Sequence, residues 1–532
     1  MPRFLFVWSS ILRKQVWSWA FARRIDTHKG NMNRSACINT YILLSLAFIG
    51  INLATLSNLP PWIDEVMMLD TSYNAAVHQC WTTTAWYRVA GQYPFSTYPP
   101  LYQLLATAWI WLFGGSLVAV RSLNLLITFV LGGVCLRLVQ RNVRPTPWTV
   151  ALFTMLLWGS SEMAWMYRNG RPDMLCALLS VFTIQTINRH LSVPSPATRL
   201  AVIATSALLL CSGIQAAVYL CVLWLFFFIA QKGWRRKQFL HPLALLLTGF
   251  TLGLFLVALF MLAHGRLIGF ASSIIQYSAT LSDIVLAILP TAGKWFGFNP
   301  APYTEKLLEL TTRSSLSETM ASILDYRNLL VLSAVALTAY LDAFWMHLHK
   351  LWNDRGFLLL LCALYVPVVM TLAGRFAPYY RWMAFLPLLA SIVSVSARCR
   401  KWGVVFGVVA AMMSIGGLKS MRASKHWDYD GLHSFVQRQH FKPSDAVVCP
   451  FSVFYEVKPI CDTCYFAGIF PVEFISHIDY IIEATDGSGF NQPITDYVNK
   501  LKADTSVVLT PIDHCNRPSL TLYRIQKKHK AP

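Results

Sequence analysis

The sequence predicts a polytopic α-helical membrane protein with about eleven transmembrane helices, each needing about 20 apolar residues. A small α/β region is predicted after the last helix. Three observations lead to this fold class. Hydrophobic residues make up 55% of the 532 residues and charged residues only 13%, whereas a soluble domain carries about 25% charged residues. Long apolar runs recur up to residue 419, and helical and strand patterns alternate after it.

The apolar runs define the predicted spans. They cover residues 38–59, 117–138, 148–166, 173–189, 199–213, 215–231, 239–263, 328–346, 356–373, 380–397 and 402–419. Leu101–Phe113 is also apolar, but it is short and follows Pro99 and Pro100. It is therefore predicted to lie at the membrane interface, a depth that suits Trp109 and Trp111.

Basic residues between the runs predict the orientation. With residues 1–37 placed in the cytoplasm, the basic connectors of the transmembrane region 38–419 fall on the cytoplasmic side, as the positive-inside rule requires. The opposite face, called the outside below, then holds loops 60–116 and 264–327 and an α/β domain at 420–532. The connectors contain Arg137, Arg141, Arg144, Arg189, Arg199, Lys232, Arg235, Arg236, Lys237, Lys350, Arg355, Arg398, Arg400 and Lys401.

The N-terminal segment is not predicted to be a signal peptide, because basic residues are scattered through it and no apolar core precedes a cleavage site. Met32 is an alternative start to Met1.

The net charge of +20 resides largely in short loops, as topology signals and anionic-lipid contacts do. That distribution argues against a nucleic-acid partner, which would need a basic face with interleaved aromatic residues on a soluble module.

In the C-terminal part, residues 446–449, 480–482, 507–509 and 520–525 are predicted to be strands, and residues 432–440 and 494–502 helices. Four cysteines lie there, and an even number outside the cytoplasm favours disulfides of undetermined connectivity. The Cys-x-x-Cys spacing of the middle pair would also suit a metal or a redox pair. The four are Cys449, Cys461, Cys464 and Cys515.

Adjacent carboxylates, Asp64 and Glu65, follow the first span directly. At a membrane boundary such a pair stays charged more easily beside a cation or a metal. One of the two could serve as a general base toward an acceptor hydroxyl or amine. The alternative interpretation is an exposed loop pair, or two acidic residues in the first turn of a helix.

Several outside arginines are not explained by topology. Arg168 and Arg171 lie in the turn before the fourth span, where Asp173 could pair with either of them or cap the following helix. Arginine suits bidentate contacts to phosphate, although a structural Arg–Asp pair is also open. Two further clusters lie at the same predicted face, and each residue alone could be an interfacial anchor. They contain His264 and Arg266, and Arg375, Tyr379 and Arg381.

This set of residues resembles that of the GT-C fold polyprenyl-phosphate-sugar-dependent glycosyltransferases, in particular the protein mannosyltransferase and aminoarabinose transferase group. The resemblance covers residues 38–400. It is carried by Asp64-Glu65, Tyr98-Pro99-Pro100-Leu101, Arg121, residues 168–173 and residues 379–381. Many relatives carry His or Lys beside the prolines, where Tyr98 stands in this chain.

The resemblance implies transfer of a sugar from a polyprenyl-phosphate donor to an envelope glycan, lipid or protein acceptor, outside a bacterial inner membrane. Asp64 is the implied base, with Glu65 supporting it or contacting a divalent metal; no other cofactor is implied. The implied ligands of the donor phosphate are Arg168, Arg171, His264, Arg266, Arg375 and Arg381, and the implied supporting residues are Tyr98, Asp173 and Tyr379.

Two other functions stay open at this point. A transporter or flippase for a lipid-linked or anionic substrate would usually show internal repeats and charges at mid-membrane depth. Here the charged clusters lie at the outer boundary of the spans, which favours an enzyme acting at the interface. A non-catalytic assembly or sensor protein would use the carboxylate cluster for structure alone.

Overall fold

The computed structural model describes residues 28–88, 90–140, 143, 145–230, 236–276, 290, 327–372, 380–422, 427–484, 491–504 and 506–527. The helices are α1 (His28–Leu53), α2 (Ile63–Val77), α3 (Leu101–Phe113), α4 (Leu117–Gln140), α5 (Pro147–Gly159), α6 (Ser161–Tyr167), α7 (Asp173–Ser192), α8 (Pro196–Ser212), α9 (Ile214–Ala230), α10 (Arg236–Ala263), α11 (Leu267–Gln276), α12 (Arg327–Ala343), α13 (Arg355–Leu372), α14 (Trp382–Arg398), α15 (Arg400–Ser420), α16 (Tyr429–Gln437), α17 (Phe454–Val457) and α18 (Gln492–Ala503).

Each predicted span overlaps helical structure among the described residues, and one of them is divided between two helices. The segment predicted as 148–166 divides into α5 and α6 at Ser160, whose backbone is extended (φ −75°, ψ 139°). The Ser160 hydroxyl accepts a hydrogen bond from the backbone N–H of Met163 at 3.4 Å. A serine in this conformation is a favoured N-cap, so the chain begins a new helix there.

Four described helical segments are long and apolar enough to cross a membrane, Arg34–Leu53, Leu117–Gln140, Leu240–Ala263 and Arg400–Lys419, and shorter apolar helices accompany them. Large apolar side chains are exposed on these segments: Leu43, Phe255 and Met412 are 68%, 58% and 67% exposed. Apolar surface of this extent is stable in lipid rather than in water. The chain is therefore an integral membrane protein.

Helix α3 is the apolar segment predicted not to cross. Its 13 residues rise about 20 Å at 1.5 Å per residue, less than the hydrocarbon thickness of about 30 Å. Tyr102 and Ile110 pack inside the protein, whereas Trp111 and Phe113 are 74% and 59% exposed. The length and the exposed aromatic side chains suit a helix at the interface, and this placement stays a prediction.

The C-terminal region, residues 427–527, contains a five-stranded sheet in the order β2-β1-β3-β5-β4. Strand β1 (Ala446–Val448) is parallel to β2 (Thr463–Tyr465) and β3 (Tyr480–Ala484). Strand β5 (Ser519–Lys527) is antiparallel to β3 and to β4 (Val507–Asn516). Side chains alternate between the faces of a strand: Val447 packs in the cluster that contains residues of α16, and Val448 in the cluster that contains residues of α18.

The C-terminal region shares a core with the helix bundle. Phe454, Tyr455, Phe466 and Ala467 belong to the same buried apolar cluster as the bundle helices. The Trp427 indole Nε1–H also donates to the Ser57 carbonyl at 2.8 Å. The region is thus packed onto the segment that follows α1.

The disulfides predicted for the C-terminal region are absent. All twelve cysteines are described, and every one is a free thiol. Cys449, Cys461, Cys464 and Cys515 are buried and pack among apolar side chains of the sheet, where a thiol behaves as a small hydrophobic group. Burial raises the pKa of the Cys464 thiol well above its ordinary value. The prediction of disulfides is wrong for this structure.

Candidate active site

The two adjacent carboxylates occupy the first turn of α2 and have opposite environments. Successive residues of a helix point about 100° apart, so neighbours can face different surroundings. The Glu65 side chain is fully buried, whereas the Asp64 side chain is 34% exposed. The pair is therefore one buried carboxylate and one carboxylate open to solvent.

Arg121 of α4 is the principal partner of Glu65. Its Nε and Nη2 donate to Glu65 Oε1 and Oε2 at 2.8 and 2.9 Å. The remaining N–H groups donate to the carbonyls of Leu56, Leu59 and Pro60 at 2.8, 2.9 and 3.1 Å. Both side chains are fully buried. All five guanidinium donors are thus used to hold Glu65 and the backbone that leads to Asp64.

Two more donors complete the surroundings of Glu65. The Trp62 backbone N–H donates to Oε2 at 3.3 Å, and the Tyr455 hydroxyl donates to Oε1 at 3.3 Å. Burial and the Glu65 carboxylate raise the pKa of Tyr455 well above its ordinary value, which keeps the phenol a donor. A divalent metal at Glu65 does not fit this arrangement, because a guanidinium already occupies both oxygens. Among the described residues no group of three or more His, Cys, Asp or Glu side chains could hold a metal ion.

Asp64 is held from one side by Arg171. Arg171 Nη1 donates to Asp64 Oδ2, and its Nε donates to Asp173 Oδ2 at 2.9 Å. The guanidinium carbon lies 6.0 Å from the centre of the Tyr98 ring. The second oxygen of Asp64, Oδ1, accepts no hydrogen bond from the described residues. Among the described residues, Asp64 is therefore anchored through one oxygen only.

Arg168 and Arg171 have different hydrogen-bond partners. Arg168 Nη1 donates to Asn52 Oδ1 at 3.1 Å and to Thr55 Oγ1 at 3.0 Å, and its Nη2 donates to the Thr55 carbonyl. Arg168 is 1% exposed. It holds the C-terminal end of α1 and the residues after it, whereas Arg171 holds the carboxylate.

Two of the outside basic residues lie after α10. Arg266 contacts the first loop, with its Nε 3.3 Å from Ser96 Oγ and its guanidinium carbon 4.9 Å from the centre of the Tyr93 ring. His264 Nδ1 lies 2.8 Å from the Phe260 carbonyl, so this ring closes the last turn of α10. Arg266 is thus joined to the loop that carries Asp64, and His264 to its own helix.

A cavity adjoins Tyr98 and Asp173, two of the residues that Arg171 contacts. It lies between the ends of α7, α8, α9 and α14. Arg381 directly precedes α14 and is half-buried, and its neighbours Tyr380 and Trp382 line the cavity. Arg375 and Tyr379 lie outside the described residues. The lining consists of Tyr98, Pro172, Asp173, Cys176, Ser212, Gly213, Gln215, Ala216, Tyr380, Trp382 and Met383.

Neither a family model nor a curated protein matches the sequence. Among solved structures, the apo oligosaccharyltransferase of Archaeoglobus fulgidus, a GT-C glycosyltransferase, matches with a TM-score of 0.50 and 13% identity, over 86% of this chain and 71% of that chain. This chain has the GT-C fold. At this identity the likeness concerns the fold alone.

Two other GT-C structures align more weakly. ArnT from Cupriavidus metallidurans bound to undecaprenyl phosphate gives a TM-score of 0.48 at 12% identity, over 91% of this chain and 97% of that chain. The arabinofuranosyltransferase AftD from Mycobacteria gives 0.46 at 10% identity, over 92% of this chain and 40% of that chain.

Sequence reasoning missed the second charged centre of this GT-C chain. Asp70 of α2 accepts from Thr83 Oγ1 at 2.7 Å and from the Thr84 N–H at 2.6 Å. Lys458 Nζ lies 3.6 Å from Asp70 Oδ1, and both side chains are fully buried. A charge within an apolar span, as at Arg121, is a sequence signal of a functional site. The pairing of Asp70 with Lys458 joins positions far apart in the sequence, so no local sequence pattern indicates it.

Proposed function

We propose that the chain is a membrane glycosyltransferase that moves a sugar from a polyprenyl-phosphate donor to a glycan, lipid or protein acceptor outside the membrane. The observation that carries the proposal is Asp64. Its Oδ2 is held by Arg171, while its 34% exposed side chain offers Oδ1 to a substrate. A positioned carboxylate of this kind suits a general base. The GT-C fold and the sequence resemblance support the same activity.

The reaction needs one displacement. An acceptor hydroxyl or amine attacks the anomeric carbon of the sugar while the bond from that carbon to the phosphate oxygen breaks. The polyprenyl phosphate leaves with the bonding electron pair, and the acceptor proton passes to Asp64 Oδ1. Inversion at the anomeric carbon is expected from the resemblance. General-base catalysis of this type contributes about 10²–10⁴ in rate.

The buried groups have positioning roles in this proposal. Arg171 bridges Asp64 and Asp173, which fixes the direction in which Asp64 Oδ1 points. Glu65 is fully buried against Arg121, so its role is to hold the first turn of α2. Accurate placement matters, because a displacement of about 1 Å at a reacting group can cost about 100-fold in rate.

The donor phosphate is assigned to basic residues that are not fully buried. Arg266 and Arg381 are half-buried. Arg266 contacts the first loop, and Arg381 lies between two residues that line the cavity. Arg168 and Arg171 are each 1% exposed and would have to leave their partners to bind a phosphate. Fixed cations stabilise the charge that develops on a departing phosphate. Arg375 stays a candidate from the sequence.

The activity is tested with Asp64→Asn, purified and supplied with polyprenyl-phosphate sugars and envelope acceptors. Because the amide keeps the shape of the side chain but accepts no proton, we expect turnover to fall at least about 100-fold with little change in melting temperature. The control is Asp496→Asn, which changes an exposed aspartate on α18. Normal turnover by Asp64→Asn would exclude Asp64 as the base.

A cell-based measurement separates a transferase from a flippase. Mass spectrometry of envelope glycans and lipid-linked sugars is compared between cells with and without the protein. Loss of one sugar substituent together with accumulated donor supports the transferase. Donor that accumulates only on the cytoplasmic face supports the flippase instead.

A further inference from the structure

We propose that Tyr455 and Lys458, here called the clamp, are positioning residues through which the C-terminal region holds the catalytic helix α2. The inference rests on the proposed function in one respect, that Asp64 is the reacting carboxylate. Tyr455 lies in α17, and Lys458 directly follows this helix. The five strands of the same region form a sheet of their own.

The first contact is at the start of α2. The Tyr455 hydroxyl donates to Glu65 Oε1 at 3.3 Å, and the ring is 4% exposed. Glu65 is the neighbour of Asp64, and the same oxygen accepts from Arg121 Nε at 2.8 Å. A rotation of α2 that moved Asp64 would therefore also break the hydrogen bond with Tyr455.

The second contact is farther along the same helix. Lys458 Nζ lies 3.6 Å from Asp70 Oδ1 and donates to Thr84 Oγ1 at 3.1 Å and to the Asp462 carbonyl at 2.7 Å. Asp70 follows Glu65 by five positions, a rise of about 7.5 Å along a helix axis. Contacts at two heights on one helix restrict both its rotation and its sliding.

A stabilising role alone accounts poorly for Lys458. Both members of the pair are fully buried, and removing two charges from water costs roughly as much as their attraction returns. Apolar residues of similar volume often hold two surfaces together at least as well. What a buried ion pair adds is a fixed registry, since leaving one buried charge without its partner is strongly destabilising. Registry of α2 is what the placement of Asp64 requires.

The surrounding contacts continue the same interface. The backbone N–H groups of Phe466 and Ala467 both donate to the Ala85 carbonyl, at 3.0 and 2.9 Å. The ring of Tyr87 lies 4.4 Å from that of Phe474, between centroids. The first loop is thus bonded to the C-terminal region beyond α2 as well, so the clamp acts between two surfaces that are already in contact.

The test uses Tyr455→Phe, which removes one hydroxyl and keeps the ring. Tyr523→Phe is the matched control, because it removes a tyrosine hydrogen bond to Glu483 Oε2 (3.1 Å) within the same region and away from α2. We expect Tyr455→Phe to lower kcat about tenfold with the KM for the donor unchanged, and Tyr523→Phe to leave both constants unchanged. An unchanged kcat in Tyr455→Phe overturns the proposal.

Coupling through Glu65 gives a second criterion. In a Glu65→Gln background, Tyr455→Phe should cause no further loss of kcat, because its effect passes through that carboxylate. Independent, multiplicative losses would contradict the proposal.

Lys458→Met tests the second contact, the ion pair with Asp70. Lys502→Met is the control, since Lys502 pairs with Glu483 at 3.7 Å in the same region. Where Lys458→Met fails to fold, Tyr455→Phe carries the test alone.

A structural readout separates this proposal from the proposed function. Amide hydrogen exchange of residues 62–70 should accelerate in Tyr455→Phe and stay unchanged in Tyr523→Phe. Unchanged exchange in Tyr455→Phe overturns the clamp, whether or not the chain transfers sugar. Accelerated exchange in a chain that transfers no sugar supports the clamp and refutes the function.

Discussion

Asp64 and Glu65 differ by one methylene and one position, yet their surroundings give them separate tasks. Glu65 is enclosed by Arg121, the Trp62 N–H and Tyr455, whereas Asp64 meets one cation and solvent. The sequence marked both as one acidic pair, because adjacency is visible in a sequence and helix rotation is not. The structure shows that Glu65 is the buried one, because it pairs with Arg121 of α4, 56 positions away in the sequence.

At the residue scale, Arg381→Ala tests the assignment of the donor phosphate. A charged hydrogen bond to phosphate contributes about 1.5–3 kcal/mol, so its loss should weaken binding of polyprenyl phosphate at least about tenfold. Binding of the acceptor should be nearly unchanged. Binding of a fluorescent polyprenyl phosphate in detergent measures the effect. Arg438→Ala is the control, because Arg438 is 57% exposed and pairs with Asp513 in the C-terminal region. Donor binding equal to wild type would exclude Arg381 as a phosphate ligand.

At the element scale, the crossing of α15 over the end of α5 depends on a glycine. A Cβ at Gly417 would lie 2.0 Å from the Gly159 carbonyl oxygen, whereas a Cβ at Gly416 would meet nothing within 4 Å. The two backbones therefore approach as closely as glycine allows, as small residues permit at helix contacts in membranes.

We expect Gly417→Ala to lower the free energy of unfolding by about 1–3 kcal/mol, because the added methyl group forces the helices apart. Gly416→Ala should instead leave it unchanged or raise it by up to about 1 kcal/mol through helix propensity. Thermal melting of the two purified variants in detergent measures the difference. Equal melting temperatures would show that the helices do not cross there.

Elements were more predictable than contacts. Each apolar run became helical, because the length and apolar character of a span are local properties of the sequence. The break at Ser160 was missed, since serine within an apolar run has no unique meaning until its cap is formed. Strand β2 was missed because its three residues, Thr463–Tyr465, are too few to show alternation. The disulfide prediction failed because spacing cannot show that the cysteines pack as apolar side chains.

At the scale of the whole molecule, one hydrogen bond constrains topology. Glu65 and Tyr455 are in contact, so the first loop and the C-terminal region lie on the same face of the membrane. An even number of crossings must then separate them. The predicted arrangement, with ten spans after the first loop and Leu101–Phe113 at the interface, is compatible with this condition and stays a prediction.

Cysteine labelling tests this arrangement. We expect a membrane-impermeant maleimide to label Arg88→Cys and Lys442→Cys on intact cells, since both positions are exposed and lie in the first loop and the C-terminal region. Lys350→Cys, exposed in a predicted cytoplasmic connector, should react only after permeabilisation. The unsubstituted protein gives the background. Labelling of Arg88→Cys and Lys442→Cys from opposite faces would contradict the contact between Glu65 and Tyr455.

The contact between Tyr455 and Glu65 also has a consequence in time. The two residues are 390 positions apart in the chain, and a ribosome adds about 5–20 residues per second. Glu65 therefore emerges roughly 20–80 s before its partner. During that interval the first loop is already made but lacks the support of its last donor. A growing chain thus completes the surroundings of Glu65 only after the last bundle helix, α15, has been made.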